Sequence, residues 1–182
     1  MNEKEVINKG KHLAFLLRHD KDAFEKGIID KNGWRTVKEL VSEQGYTKEL
    51  LDAIVNTNNK KRYEYNDNKT KIRARQGHSI NVDVELNEEM PPAVLYHGTS
   101  TKFLGSIYKN GIVKGQRLYV HLSKDEDTAI NVGSRHGNPF VLKIDCKQMV
   151  EDGIKFYLSN NGVWLTEFVD KKYIITNKKE ED

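Results

Sequence analysis

The spacing of apolar residues changes once along this chain, near Arg62, and that change limits the folds open to it. Before it, apolar residues recur at helical intervals; after it, they fall into short runs of strand length. Over residues 4–19, Val6, Gly10, Leu13, Ala14 and Leu17 share one helical face. Arg18 and His19 then stand at the C-terminal end, where the helix dipole favours positive charge. Gly33-Trp34 interrupts the chain. Thr36-Val37-Lys38-Glu39 has the form of a capping box and opens a second helix through Val41, closed by Gly45. Thr47 caps a third helix whose buried face is Leu50, Leu51, Ile54 and Val55. Tyr63, Tyr65 and Ile72 flank the turn-rich Asn66-Asp67-Asn68, which predicts a hairpin. Three helices and then a hairpin is the order of a winged helix, a module that binds nucleic acid in some proteins and only protein in others.

Residues 80–92 carry Asp83, Glu85, Glu88 and Glu89 before Pro91-Pro92, and read as a linker. Two lobes follow from it, over residues 1–90 and 91–182. In the second, strands are expected at Ala93–His97, Leu118–Leu122, Phe140–Asp145 and Tyr173–Thr176. Helices are expected at Lys102–Asn110, ended by Gly111, and at Asp125–Val132, with acids in its first turn. Asn160-Asn161-Gly162 is a hairpin turn between Phe156–Leu158 and Val163–Leu165. The class is α+β with a mostly antiparallel sheet. The tail from Lys178 is charged and expected to fray.

Hydrophobic residues make up 37% of the 182, enough for two modest cores. No apolar run approaches twenty residues, so no membrane span is expected, and the acidic first residues do not resemble a signal peptide. Cys146 is the single cysteine, which rules out an internal disulfide and favours a reducing, cytoplasmic setting. The net charge of +3 is too small to identify a polyanion partner, but its distribution is uneven. Lys60, Lys61, Arg62, Lys69, Lys71, Arg73 and Arg75 face only Glu64 and Asp67 in the same stretch. Such density suits a phosphate backbone; a solvated lysine-rich hairpin has the same composition.

Four short runs place cations or imidazoles beside glycine or small residues: Leu17-Arg18-His19, Arg73-Ala74-Arg75-Gln76-Gly77-His78-Ser79, Tyr96-His97-Gly98-Thr99-Ser100 and Gly133-Ser134-Arg135-His136-Gly137. Together they suggest a site for a multiply phosphorylated ligand. Arg18, Arg73 and Arg135 are bidentate phosphate grips, although each arginine alone is more often a surface residue. His19 and His78 can exchange a proton near neutral pH. Gly98 would let a ligand approach the backbone, with Thr99 and Ser100 as hydrogen-bonding neighbours. Alternation puts His121 on a strand face with Tyr119 and Ser123, as a site residue or a core histidine. No Walker loop or Gly-x-Gly-x-x-Gly fingerprint is present, so a dinucleotide would need another kind of fold. The histidines lack metal-ligand spacing, and no Gly-x-Ser-x-Gly elbow supports a serine hydrolase.

In this order, Leu-Leu-Arg18-His19, Gly33-Trp34, Ile72 to Ser79, Leu95 to Thr99, His121-Leu122-Ser123 and Val132 to Gly137 resemble the RNA 2'-phosphotransferases, the KptA family. The likeness runs from about residue 4 to about residue 176. It implies an N-terminal winged-helix lobe that binds RNA and a C-terminal lobe of the ADP-ribosyltransferase fold. It implies NAD+ as co-substrate and RNA with an internal 2'-phosphate as partner; no metal, no membrane contact and a monomer are expected beside it. The family's Arg-His-Arg-Arg set falls on Arg18, His19, Arg73 and Arg135. Its ligand histidines fall on His97 and His121. On that reading His97, Gly98 and Thr99 hold the adenosine side of NAD+. His121 and Ser123 line the nicotinamide-ribose pocket, and Lys60, Lys61, Arg75, Gln76 and His78 contact RNA. Arg75 departs from the family pattern, adding charge beside the phosphate site, and Glu167 is assigned no catalytic role. The rival readings are an ADP-ribosyltransferase with another acceptor, a protein or a terminal phosphate, and a winged-helix regulator that only senses a nucleotide.

Overall fold

A computed structural model describes residues 2–57 and 61–175. Lys60, expected on the basic hairpin, and Thr176, expected to end the last strand, lie outside the described residues. The chain divides into two compact units, Met1–Glu85 and Leu86–Asp182. Helices and antiparallel sheets make up both, an α+β architecture.

In the first unit, α1 (Glu3–Arg18) starts at Asn2, whose side chain accepts from the Lys4 amide. A short α2 (Lys21–Glu25), capped by Asp20, follows without having been expected; five residues are too few for a periodic signal. β1 (Arg35–Thr36) leads into α3 (Val37–Glu43), where Thr36 Oγ1 accepts from the Glu39 amide as the cap pattern requires. Gly45 stands just beyond with φ +68°, the left-handed conformation that ends a helix at low cost. Thr47 Oγ1 caps α4 (Lys48–Thr57). β2 (Tyr63–Tyr65) and β3 (Lys71–Ala74) form the hairpin, closed by the Asn66 amide bonding to the Lys71 carbonyl. β1 pairs with the other edge of β3, so the order is β1-β3-β2. Leu13 and Leu17 of α1, Leu40 of α3, Leu51 of α4 and Ile72 of β3 are fully buried together. Each contributes about 1.5–3 kcal/mol on the usual scale of side-chain burial.

The acidic stretch expected to be a linker is folded over much of its length. Ile80 and Val82 are buried against the first unit, alternating with Asn81 and Asp83. Its other end supplies the first strand of the second unit, β4 (Asn87–Glu88). Acid content concealed a period-two apolar pattern.

β5 (Val94–Ser100), α5 (Leu104–Asn110), β6 (Ile112–Val113), β7 (Val120–Leu122) and α6 (Glu126–Gly133) follow. Then come β8 (Pro139–Asp145), α7 (Cys146–Glu151), β9 (Tyr157–Leu158), β10 (Trp164–Thr166), β11 (Phe168–Val169) and β12 (Ile174–Ile175). One sheet runs β4-β9-β10-β7, another β12-β8-β5, and β6 pairs with β11. All these pairings are antiparallel. Tyr96 and Ser123 exchange backbone hydrogen bonds of 2.9 and 2.7 Å, which joins β5 to the end of β7 and so links the two larger sheets. The Asn-Asn-Gly turn folds as expected, with the Gly162 amide donating to the Ser159 carbonyl. Cys146 is buried, and burial pushes its thiol up to about 12, so it stays protonated and inert.

Candidate active site

The first unit gathers its candidates where α1 ends. His19 is the C-cap residue, and its Nδ1 lies 2.9 Å from Ser79 Oγ. The amides of Ser79 and Ile80 both donate to the Arg18 carbonyl, at 2.9 and 3.3 Å. That carbonyl is one that the helix cannot satisfy internally. Gly77 has φ +86° and packs against the Arg18 guanidinium, with its missing Cβ position 3.6 Å from Cζ. The segment after β3 is thereby fastened to the Arg18-His19 pair.

Arg73 projects from β3, and its Nε donates to Glu64 Oε1 at 2.7 Å. Its Nη1 donates to the Asn32 carbonyl and to Glu85 Oε2, each at 3.2 Å. Its guanidinium lies over the Trp34 ring, 4.3 Å from the centroid. Three contacts thus hold the planar group by one edge, and Nη2 has no protein partner among the described residues. Such a group aims an otherwise flexible cation. Glu64, Glu85 and Trp34 are supporting residues that the sequence reading did not assign; only Gly33-Trp34 had stood out, as a motif without a role.

His78 corrects an expectation. Its side chain is buried, and its pKa is lowered to about 3, first by burial and then by the charges of Arg18, His19 and Arg73. It stays neutral at physiological pH and exchanges no proton there. Its Nε2 has no hydrogen-bond partner among the described residues. As an RNA contact it would need its cover to part.

The basic ribbon is also less open than its composition suggests. Arg75 pairs with Glu64 at 3.2 Å, Lys71 with Asp30 at 3.2 Å, and Lys69 with Asp52 at 3.7 Å. Lys61 is exposed, and Gln76 is half-buried in the segment held to α1.

In the second unit, His97 lies on β5 and donates from Nδ1 to the His121 carbonyl, 3.1 Å away. A carbonyl only accepts, so the ring proton is on Nδ1 and Nε2 is an acceptor. Burial depresses the His97 pKa, opposed by the bond to His121 and reinforced by Arg117, which keeps the ring neutral. His121 lies on β7, its Nδ1 2.9 Å from Nη1 of Arg117. Desolvation and then the charge of Arg135 lower the Arg117 pKa, so the two guanidiniums repel. Arg135 occupies an exposed 3-10 turn, Ser134–His136, directly after α6. The charge of Arg135 therefore reaches Arg117, and no ion pair of Arg117 with a carboxylate occurs among the described residues. Arg117 was not foreseen; its only sequence signal is its place four residues before His121.

The absent side chain of Gly98 has a cause other than the one expected. A Cβ there would stand 1.8 Å from the Ala129 carbonyl oxygen, and one on Gly133 would stand 2.4 Å from the Thr99 carbonyl oxygen. α6 lies directly on β5, and that side of Gly98 faces the helix. Thr99 and Ser100 are buried, while His97, His121 and Ser123 are half-buried. Arg18, His19, Arg73 and His78 therefore come together in the first unit, and His97, His121 and Arg135, with Arg117, belong to the second. No cluster of three or more potential metal ligands occurs among the described residues, and no described helix is long and apolar enough to cross a membrane.

The sequence profile of the "RNA 2'-phosphotransferase, Tpt1 / KptA family" matches residues 4–168. A Fusobacterium nucleatum protein named "Probable RNA 2'-phosphotransferase" is 50% identical over 174 residues, covering 92% of this chain and 97% of the relative. A protein of the same name from Flavobacterium johnsoniae is 48% identical over 180 residues, covering 96% and 98%. Another, from Escherichia coli, is 43% identical over 180 residues, covering 95% and 97%.

Proposed function

Because this chain belongs to the RNA 2'-phosphotransferase, Tpt1 / KptA family, we propose that it removes an internal RNA 2'-phosphate by transferring it to NAD+. The first unit is read as a winged helix, supported by α1, α3 and α4 packed on a hairpin sheet. The second is read as an ADP-ribosyltransferase-like lobe, supported by two antiparallel sheets meeting at Tyr96 and Ser123. The observation that carries the assignment is the grouping of Arg18, His19 and Arg73 around a neutral His78. Two guanidiniums and an imidazole gathered near one buried neutral ring suit an anionic group such as a phosphate.

The reaction has two steps. A 2'-phosphate oxygen bonds to the ribose carbon that bears nicotinamide, and nicotinamide leaves with the electron pair of the broken C–N bond. The adjacent ribose 2''-hydroxyl then loses its proton and bonds to phosphorus. The RNA 2'-oxygen leaves and gains a proton, which gives 2'-OH RNA and ADP-ribose 1'',2''-cyclic phosphate. The first step is mainly positioning. Arg18 and Arg73 orient the phosphate, His97 Nε2 accepts from a ribose hydroxyl, and His121 and Ser123 line the nicotinamide ribose. The second step concentrates charge on phosphorus oxygens, where Arg18, Arg73 and Arg135 stabilise it. His19, exposed and held by Ser79, handles the hydroxyl proton. Three guanidiniums supply the neutralisation that a cation would otherwise give.

Incubation with NAD+ and an oligoribonucleotide carrying one internal 2'-phosphate tests the proposal. Nicotinamide release should depend on the RNA and match the 2'-OH RNA formed. Release without RNA, or with the phosphate retained, would identify a different acceptor.

A further inference from the structure

We infer that Arg117 is a positioning residue that fixes the tautomer of His121 and makes its Nε2–H a permanent donor to NAD+. The inference rests on the NAD+ reading above and extends it to a residue to which no role has been given.

A guanidinium has only donors and stays charged at any physiological pH. Arg117 Nη1 lies 2.9 Å from His121 Nδ1, so Nδ1 must be the acceptor. A ring that accepts at Nδ1 carries its one proton on Nε2. The opposite holds for His97, whose Nδ1 faces the His121 carbonyl at 3.1 Å and must donate. Two histidines joined through one residue thus have opposite polarity: His97 Nε2 accepts and His121 Nε2–H donates. Without such partners an imidazole interconverts between tautomers, and some of its encounters with a ligand oxygen would be lone pair against lone pair.

The ligand class follows from that polarity. His97 suits a hydroxyl proton and His121 suits an oxygen lone pair, and both occur on the ribose and carboxamide of NAD+. The place of Arg117 in the chain supports the role. It follows a turn in which its amide donates to the Lys114 carbonyl, with Gly115 at φ +61°, and the turn brings its side chain back onto β7. Its other near charge is Arg135, which offers Arg117 no acceptor and leaves the imidazole as its hydrogen-bond partner.

Long-range nitrogen–proton NMR of the full chain, with both rings neutral, reads the tautomers without any reaction. The wild type should show His121 protonated on Nε2 and His97 on Nδ1. Arg117→Gln, whose amide can flip to donate or accept, should mix the His121 tautomers and raise the KM for NAD+ about tenfold, the loss of one oriented hydrogen bond. Its kcat should change less. Arg117→Lys, which again only donates, should restore both readings. His121 protonated on Nδ1 in the wild type would overturn the inference. So would an Arg117→Gln protein that keeps both the Nε2–H tautomer and the wild-type KM. A wild type that shows these tautomers but makes no product from NAD+ and RNA would instead refute the proposed reaction.

Discussion

Glu64 and Arg73 stand directly opposite each other on β2 and β3, and their side chains close an ion pair of 2.7 Å. Glu64 also reaches Arg75, so one carboxylate holds two guanidiniums, one on β3 and one just past its end. Replacing it leaves Arg73, nine-tenths buried, with Glu85, the Asn32 carbonyl and the Trp34 ring. Glu64→Ala should cost about 2–4 kcal/mol of stability, measured by urea unfolding, because it strands a buried cation. It should also lower the RNA reaction rate more than Glu85→Ala does, since Glu85 is largely exposed.

Arg135→Ala should separate the two steps. The side chain lies on an exposed turn, so the fold should tolerate its loss. Rapid-quench sampling of labelled RNA should show the RNA–ADP-ribose diester building up as the second step slows roughly 100- to 1,000-fold. Equal slowing of both steps, with no diester at any time, would remove Arg135 from the phosphorus chemistry.

His78 should give stability a pH dependence of known sign. Its folded pKa of about 3 lies below the model-compound value of 6.5, so the unfolded chain binds the proton more tightly. Stability is complete above about pH 6.5 and falls as the pH drops towards 3, by up to about 1.4 kcal/mol per pH unit. His97 is depressed too and adds a loss of the same sign. The difference between wild type and His78→Leu across a pH series isolates the His78 part. Parallel curves would place the imidazole in water.

Gly98→Ala should destabilise the second unit by about 1–3 kcal/mol or more, because the new Cβ meets helix backbone that has little room to yield. Gly105→Ala is the control: nothing lies within 4 Å, and α5 should gain about 0.4–1 kcal/mol from the added helix former. Thermal unfolding of the pair checks both signs.

Lys61 is exposed and lacks an ion-pair partner among the described residues. If it meets the RNA backbone, Lys61→Ala should weaken binding to every sequence alike and flatten the salt dependence by about one ion. Lys71→Ala should do less, since Asp30 already neutralises that charge.

What could be read from the sequence was local. Thr36 and Glu39, Thr47, Gly45 and the Asn161-Gly162 turn act within a few residues, and each performs the expected task. Contacts set by strand register were hidden. Glu64 is nine residues from Arg73, and only the β2–β3 pairing makes them partners. Gly98 depends on α6, thirty residues on, and two-residue strands such as β6 and β11 are too short to have a period. For the candidate site, the sequence offered residues but not their surroundings: His78 is neutral, Arg73 is held by acids, and His121 has Arg117 as a partner.

The Arg18 carbonyl accepts the amides of both Ser79 and Ile80, and this has a consequence for anyone cutting the gene. Two stretches sixty residues apart behave as one cassette. A chimera that takes its first helix from one homologue and the strand-exit segment from another would have to match donors and acceptor at that knot. A truncation that ends at the hairpin would leave the helix terminus open to water and the guanidinium without its glycine floor.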